Sequence, residues 1–266
     1  MLRIGLLTDY HYASDDGDLG RHRTDGARRL SHALPQIQQG ALEYIVTLGD
    51  MIDHAGTTAD QRIHQGEIAG ILRSSGVEVR PVLGNHDVAC FEKAECLAAF
   101  GQRRKRAYYA WDHAPWRLIV LDTNFHEDGR DITPLDQPEH WRENWLGKVQ
   151  LDWLRRQLRG SGDRPVAIFS HANLNPRDGK GPVPGMDDHN VRDAHEALDI
   201  ILREGNVRVV FQGHCHTGHF EQVECTRFIT LRGACEGDDP VSAGIAYCAE
   251  DGTCHFAGFG AQPEWL

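Results

Sequence analysis

Short apolar runs alternate along the chain with polar loops and with segments of helical periodicity. The first run, Leu2 to Leu7, has the pattern of a buried strand. A helical face follows the next polar loop, and it is formed by Ala27, Leu30, Leu34 and Ile37. Pro35 lies within this predicted helix and is expected to kink it. The succession of strand, polar loop and helix is typical of βαβ units.

The same succession continues through the rest of the chain. It predicts strands over 44–48, 77–83, 108–111, 118–121, 166–169 and 207–211, and helices over 61–72, 149–158 and 194–202. Three alternating segments, 228–231, 245–248 and 255–259, predict a terminal antiparallel meander. Residues 172–190 are rich in Gly, Pro, Asp and Asn, which predicts a long loop. Because no repeat or low-complexity linker divides residues 1–266, we expect a single domain.

Composition excludes several classes of function. The formal net charge of -11 disfavours a large basic footprint on nucleic acid or on an anionic membrane. No apolar stretch is long enough to span a bilayer, and Leu2 to Leu7 is too short for a signal-peptide core, so we expect a cytoplasmic protein. The seven cysteines are widely spaced without a C-x-x-C pair, which predicts reduced thiols. A small anionic substrate stays possible because metal ions supply positive charge locally.

Five segments place Asp, Asn or His at or just after the ends of predicted strands. They are Asp9-x-His11, Gly49-Asp50-x-x-Asp53, Gly84-Asn85-His86-Asp87, Ser170-His171 and Gly213-His214-x-His216. The carboxyl ends of strands in an open α/β sheet converge, so we expect these side chains to meet in one crevice. Residues i and i+2 of an extended segment face the same side, which predicts that Asp9 with His11, and His214 with His216, each point a pair of ligands into one site. The glycines before three of the motif residues suit sharp turns near the site.

Seven of these residues form a ligand set of oxygen and nitrogen atoms without thiolate. They are Asp9, His11, Asp50, Asn85, His171, His214 and His216. Such a set suits manganese, iron or zinc better than calcium, and seven ligands are too many for one catalytic ion. Two divalent ions roughly 3.5 to 4 Å apart would use them all, with Asp50 as the candidate bridge. Taken singly, Gly-Asn-His-Asp is also common in turns, and Asp50 or Asp53 could cap a helix.

In this order and spacing, the five motifs resemble the calcineurin-like metallophosphoesterase family from Asp9 to His216. The resemblance implies an α/β (α+β) fold in which two packed mixed β-sheets are flanked by helices, in four layers. It implies one metal held by Asp9, His11, Asp50 and His216, and a second held by Asp50, Asn85, His171 and His214. It also implies a bridging hydroxide as nucleophile, with His86 as acid or charge stabiliser at the leaving group and Asp53 orienting His86.

Further segments are similar to the manganese-dependent ADP-ribose/CDP-alcohol diphosphatase branch of that family. They are Arg21-His22-Arg23, Tyr108-Tyr109, Trp116 to Asp122, Leu151 to Leu154 and Gly233 to Gly237. That branch usually has Gln at the position of His11, so its metal affinity and substrate choice do not transfer directly. Arg21 and Arg23 are candidate phosphate contacts, although loop arginines are more often solvated. His54 and His189, which lie near motifs, are further candidate substrate contacts.

These observations predict a hydrolase with two divalent metal ions that cleaves phosphodiester or phosphoanhydride bonds of a small, nucleotide-like substrate. A phosphomonoesterase or phosphoprotein phosphatase on the same metals is an alternative, which relative rates on monoesters and diesters would separate. A non-catalytic binding scaffold of the same fold is a third, weakened because no ligand position is lost. The sequence does not identify the natural substrate, the native metal or the oligomeric state.

Overall fold

The computed structural model describes residues 1–17, 19–136, 142–175 and 189–264. Its strands are β1 (Leu2–Leu7), β2 (Tyr44–Thr47), β3 (Glu78–Pro81), β4 (Tyr109–His113), β5 (Trp116–Val120), β6 (Val166–Phe169), β7 (Val207–Gln212), β8 (Thr217–Val223), β9 (Thr226–Arg232), β10 (Ser242–Cys248) and β11 (Cys254–Gly260). Its helices are α1 (Gly26–Gln38), α2 (Thr58–Ser74), α3 (Asn85–Cys90), α4 (Lys93–Ala99), α5 (Gly147–Ser161) and α6 (Ala194–Glu204). Every strand and helix predicted over 1–211 therefore exists, and most of them have shifted ends.

The strands form two mixed sheets. The first has the order β11-β10-β1-β2-β3, in which β1, β2 and β3 are parallel, β10 is antiparallel to β1, and β11 is antiparallel to β10. The second has the order β4-β5-β6-β7-β9-β8, with a parallel centre and an antiparallel strand at each edge. Five of the parallel strands, β1, β2, β3, β6 and β7, end on the loops that carry the predicted motifs.

The two sheets pack against each other, and helices cover their outer faces. Leu6 of the first sheet and Phe169 and Phe211 of the second share one fully buried cluster between the sheets. A second cluster joins the first sheet to α1 and α2, and a third joins the second sheet to α5 and α6. The apolar face of each helix is thereby removed from water, which is the main driving force for this layered arrangement. The predicted four-layer fold is confirmed.

The three strands predicted over 228–259 exist, and β10 and β11 pair antiparallel, but their prediction as one meander is wrong. β9 lies in the second sheet, parallel to β7 and paired with the unpredicted β8, whereas β10 and β11 cross to the first sheet. Alternation of apolar and polar residues identifies a strand, but it does not identify the neighbouring strand. The short helices α3 and α4 were also missed because six or seven residues give too little periodicity to recognise. α1 continues past Pro35 to Gln38.

A buried arginine ties α1 to the loop after β9. Arg29 is 2% exposed, and its guanidinium donates hydrogen bonds to the carbonyl oxygens of Ala234, Glu236, Gly237 and Asp239 at 2.6 to 3.3 Å. We call residues 234–239 the clamped loop. Its backbone also accepts the His22 N–H through the Cys235 carbonyl at 2.8 Å. The clamped loop is therefore fixed beside the first motif.

All seven cysteines are free thiols, and six of them are buried. Cys225 is the exposed one. Within the residues that the structure describes, no helix has the length and apolarity needed to cross a membrane. The predicted loop over 172–190 falls mostly outside the described residues, since 176–188 are not among them.

Candidate dinuclear metal site

The backbone turns sharply after β1, β2 and β7, where four of the predicted ligands lie. Asp9, His11, Asp50 and His214 have positive φ angles of 53°, 48°, 52° and 66°. These residues are left-handed and not extended, so the predicted i, i+2 geometry is wrong. Left-handed backbone costs a residue with a side chain about 1–2 kcal/mol. Surrounding bonds hold it, including those from Asp9 N to Gly49 O at 3.0 Å and from His11 N to Asp50 O at 2.9 Å.

Glycines allow these turns to approach one another. A Cβ atom added at Gly84 would collide with the Asp50 carboxylate and backbone nitrogen, and one added at Gly213 would collide with the Thr8 hydroxyl. Asp87 fixes the same approach, because its carboxylate accepts the backbone N–H groups of Asp50 and Gly84, both at 2.9 Å. Burial, followed by the nearby Asp50, raises the pKa of Asp87 to about 7.

Replacing Gly84 with alanine tests this packing. We expect Gly84→Ala to displace Asp50, to lower the free energy of unfolding by about 1–3 kcal/mol and to weaken metal binding. The matched control is Gly66→Ala in the exposed part of α2, where an added Cβ meets nothing within 4 Å. That control should stabilise the protein by about 0.5–1 kcal/mol. Urea unfolding of both variants measures the difference, and equal changes of the same sign would contradict the packing argument.

One half of the site lies between the loops after β1, β2 and β7. His11 Nε2 is 3.7 Å from Asp9 Oδ1, 3.5 Å from Asp50 Oδ2 and 3.2 Å from His216 Nε2. His216 Nε2 is in turn 3.3 Å from Asp9 Oδ1. Four of the predicted ligands therefore point their donor atoms at one another, at distances that a coordinated cation can span.

The other half shares Asp50. His171 Nε2 lies 3.2 Å from Asp50 Oδ2 and 3.1 Å from Asn85 Oδ1. The ring of His214 is 4.8 Å from that of His171, measured between centroids. Asp50, His171 and His214 each offer a ligand atom within 4.8 Å of the other two, as do Asp9, His11 and Asp50. Asp50 Oδ2 thus faces both halves.

Hydrogen bonds at Nδ1 show that the donor set fits metal ions. His171 Nδ1 is 2.8 Å from the Leu48 carbonyl, which can only accept, so Nδ1 carries the proton. His11 Nδ1 and His216 Nδ1 likewise lie 3.1 and 2.6 Å from carboxylate oxygens. In the neutral rings, each Nε2 lone pair is then directed into the site, towards oxygen atoms or another Nε2. Such an arrangement of acceptors needs positive charge, which protons on the rings supply and which metal ions would supply in their place.

The electrostatics of the site favour that positive charge. Burial lowers the pKa of His171, but Asp50 outweighs it and raises the pKa to about 9. Burial also lowers the pKa of His11, and Asp53 and Asp9 raise it to about 10. For Asp50, burial acts to raise the pKa, yet the charge of His171 and the other histidines holds it well below the ordinary value. Carboxylates that stay ionised among imidazoles are suited to divalent cations.

Asp53 is the centre of a second group of contacts. Its Oδ2 lies 3.3 Å from His86 Nδ1, 3.1 Å from His11 Nδ1 and 3.2 Å from Arg23 Nη1, and its Oδ1 lies 3.1 Å from His54 Nδ1. Asp53 is completely buried. Asp53 is thus in contact with His86, and its orienting role towards that ring stays a prediction.

A cavity of about 290 Å³ opens onto these residues. It is lined by His11, Leu19, Arg21, Asp50, His54, Asn85, His86, His189, His214 and His216. Three of the four candidate substrate contacts therefore line it. Arg23 does not, because its guanidinium is bound to Asp15 and Asp53 and its side chain is 14% exposed.

Sequence reasoning missed the partner of His216. Glu236 Oε1, from the clamped loop, lies 2.6 Å from His216 Nδ1 and accepts a hydrogen bond from Arg21 Nε at 3.1 Å. The bond with His216 is the largest cause that lowers the pKa of Glu236, to about 2. No spacing rule relates Glu236 to a motif. The sequence indicated the segment Gly233 to Gly237 only through its similarity to the diphosphatase branch.

A model of the family described as calcineurin-like phosphoesterase matches residues 2–218. The chain belongs to this family. The match spans all five motifs, and it ends before β9, β10 and β11. The family is dinuclear and metal-dependent, and the phosphoesterase described here brings its candidate ligands together as two groups that share Asp50. It is a hydrolase of the phosphodiesterase and phosphatase class.

Several curated relatives are similar to this phosphoesterase. A "probable cyclic nucleotide phosphodiesterase" of Psychrobacter arcticus is 23% identical over 77% of this chain and 68% of its own length. A glycerophosphodiester phosphodiesterase of Enterobacter lignolyticus is 24% identical over 78% and 65%. A 3',5'-cyclic adenosine monophosphate phosphodiesterase of Haemophilus influenzae is 23% identical over 81% and 70%. The chain thus spans about two thirds of the length of these relatives.

A solved structure has the same fold. The crystal structure of a dimetal phosphatase from Danio rerio superposes with a TM-score of 0.80 at 21% identity, covering 97% of this chain and 96% of that one. The two mixed sheets flanked by helices are therefore shared over nearly the full described length.

Proposed function

We propose that this protein hydrolyses phosphodiester or phosphoanhydride bonds of a small substrate. The reaction would take place at the candidate metal site, where Asp50 belongs to both groups of ligands. The observation that carries the proposal is the position of Asp50 Oδ2, 3.5 Å from His11 Nε2 and 3.2 Å from His171 Nε2. A carboxylate oxygen between two groups of donors is suited to bridge two cations. Manganese, iron and zinc are the metals that the oxygen and nitrogen donors favour.

The residues would divide between the two ions as follows. One ion would be held by Asp9, His11, Asp50 and His216, and the other by Asp50, Asn85, His171 and His214. When bound, the pair would polarise a phosphate oxygen and lower the pKa of a water molecule towards neutrality. The negative formal charge of the chain is no obstacle, because the attraction acts at short range inside the cavity.

Protein side chains would do the remaining work. His86 lines the cavity and is oriented by Asp53, so it could donate a hydrogen bond to the leaving oxygen. Arg21 lines the same cavity and would contact a non-bridging phosphate oxygen. His54 and His189 would contact the substrate from the cavity wall. A cavity of about 290 Å³ favours a small molecule over a protein substrate.

The proposal is supported by phosphodiesterase names among the relatives, and those names leave the substrate open. The phosphomonoesterase alternative uses the same residues and differs in its leaving group. A non-catalytic scaffold is disfavoured, because all seven ligand residues are present and directed into one site. The similarity to the ADP-ribose/CDP-alcohol diphosphatase branch stays a hypothesis about the substrate.

A substrate panel with metal analysis tests the proposal. Metal-stripped protein is reconstituted with Mn²⁺, Zn²⁺ or Fe²⁺, and its metal content is measured. Rates are then compared on bis-p-nitrophenyl phosphate, p-nitrophenyl phosphate, ADP-ribose and cyclic AMP. We expect two ions per chain and faster hydrolysis of a diester or anhydride than of the monoester.

Two outcomes would contradict the proposal. A preference for p-nitrophenyl phosphate would favour the phosphomonoesterase, and binding of two ions without hydrolysis of any substrate would favour the scaffold. An Asn85→Ala variant should lose at least about a hundredfold in kcat/KM, whereas replacing the exposed Asp163 by asparagine should change nothing.

A further inference from the structure

Glu236 contacts both a candidate metal ligand and a candidate substrate contact. A single oxygen, Oε1, lies 2.6 Å from His216 Nδ1 and 3.1 Å from Arg21 Nε. His216 and Arg21 both line the cavity, whereas Glu236 does not. Glu236 therefore contacts one residue that would bind a metal ion and one that would bind the substrate. Glu236 itself would contact neither the metal ion nor the substrate.

The contact with His216 determines which nitrogen of the ring faces the site. A carboxylate at Nδ1 requires a proton on that nitrogen, so Nε2 is the nitrogen that would bind a metal ion, beside Asp9 Oδ1 at 3.3 Å. Carboxylate partners of this kind fix the ring and increase the basicity of a ligand histidine, and their loss costs about 10- to 100-fold in metal affinity. Without Glu236, the ring could rotate or change its tautomer.

The contact with Glu236 fixes the orientation of the Arg21 guanidinium. Among the described residues, Arg21 is bonded through Nε, which leaves the two terminal nitrogens of the guanidinium for an anion. A guanidinium held at Nε presents a planar pair of donors that matches two phosphate oxygens. The side chain of Arg21 is 23% exposed, so it can be reached from the cavity.

The backbone beneath Glu236 is fixed independently of its side chain. Arg29 binds four carbonyl groups of the clamped loop, including that of Glu236 itself. The Cys235 N–H also donates to Asp9 O at 2.9 Å. A change confined to the Glu236 carboxylate should therefore leave the loop in place.

We infer that Glu236 is a positioning residue that orients His216 towards the metal and Arg21 towards a non-bridging phosphate oxygen of the substrate. The inference rests on the proposed function. It links metal affinity and substrate affinity through one carboxylate. Both affinities should therefore fall in Glu236 variants, whereas only substrate affinity should fall in Arg21 variants.

The experiment compares Glu236→Ala, Glu236→Gln and Arg21→Met with the exposed control variants Glu250→Ala and Arg103→Met. Mn²⁺ affinity of metal-stripped protein is measured by calorimetric titration, and kcat and KM are measured on the best diester of the panel. For Glu236→Ala, we expect one of the two Mn²⁺ ions to bind about 10- to 100-fold more weakly and KM to rise. Glu236→Gln should recover most of the metal affinity, because its amide oxygen still accepts the His216 proton.

Arg21→Met separates the two effects. It should raise KM by roughly tenfold, leave kcat within about threefold and leave Mn²⁺ affinity unchanged. The inference is overturned if Glu236→Ala binds Mn²⁺ and substrate like the wild type, or if Arg21→Met weakens Mn²⁺ binding as much as Glu236→Ala does. Inactive wild-type protein that binds two Mn²⁺ ions would instead overturn the proposed function, while the metal titration would still test Glu236. Thermal melting of each variant identifies any that fail to fold.

Discussion

Replacing Asp50 with asparagine is expected to reduce kcat/KM on the order of a thousandfold or more. The Oδ2 atom of Asp50 faces His11 Nε2 and His171 Nε2, so both halves of the site would lose the same negative charge. An amide oxygen is neutral and cannot hold two divalent ions together as a carboxylate does. We also expect the metal content to fall from two ions per chain to one at most. Steady-state kinetics and metal analysis measure the two effects.

Asparagine is the informative substitution at this position. Asp50 has a φ of 52°, and asparagine tolerates left-handed backbone better than alanine does, so the turn should persist. Asp163→Asn, at an exposed position, is the matched control and should behave like the wild type. Retention of two ions and of more than a tenth of the activity in Asp50→Asn would show that Asp50 does not bridge the metals.

Replacing Arg29 with methionine is expected to destabilise the protein by about 2–4 kcal/mol. The buried carbonyl group of Ala234 would be left without its charged donor, which costs about 1–3 kcal/mol. The carbonyl groups of Glu236, Gly237 and Asp239 belong to partly or fully exposed residues, so water can replace the guanidinium there and each loss costs less. Methionine retains much of the apolar volume of arginine. The loss of stability would therefore come mainly from the missing hydrogen bonds and less from packing. Because the clamped loop carries Glu236, Mn²⁺ affinity should fall as well.

Arg28 provides the control for Arg29. It is the preceding residue of α1, but its side chain is 52% exposed and pairs with Asp25 on the surface. An exposed pair of this kind contributes about 0–1 kcal/mol, so Arg28→Met should unfold at nearly the wild-type urea concentration. If the two variants lost equal stability, the hydrogen bonds of Arg29 to the clamped loop would have little energetic importance.

The fold could be predicted from the sequence as far as local pattern determines it. The strand Val166–Phe169 appears with its predicted ends because four apolar residues lie between clear polar boundaries. The pairing of β10 with β1 could not be predicted, since no local signal at Ser242–Cys248 specifies a partner at the other end of the chain. The α/β pattern gave the layers, and long-range pairing determined the order of the strands.

The candidate site shows a similar division. The motif residues could be predicted to converge because each follows a strand, and the structure brings their side chains together. The reason proposed for the Asp9 and His11 pair was wrong, because left-handed turns and not extended backbone direct them inward. Glu236 could not be predicted, since its role arises from tertiary contact with His216 and Arg21. The position of Arg23 likewise depends on Asp53, which lies far from it in sequence.

The pairing of β1 with β10 also has a consequence for how the site assembles. Leu2 lies opposite Cys248 in this pairing, so β1 stays an open edge of three parallel strands until almost the whole chain is available. Contacts between such distant residues form late and slowly in folding, and an open edge can pair with the wrong strand. Asp9, which follows β1, would therefore reach its final surroundings near the end of folding, and metal ions would stabilise the finished protein and not an early intermediate.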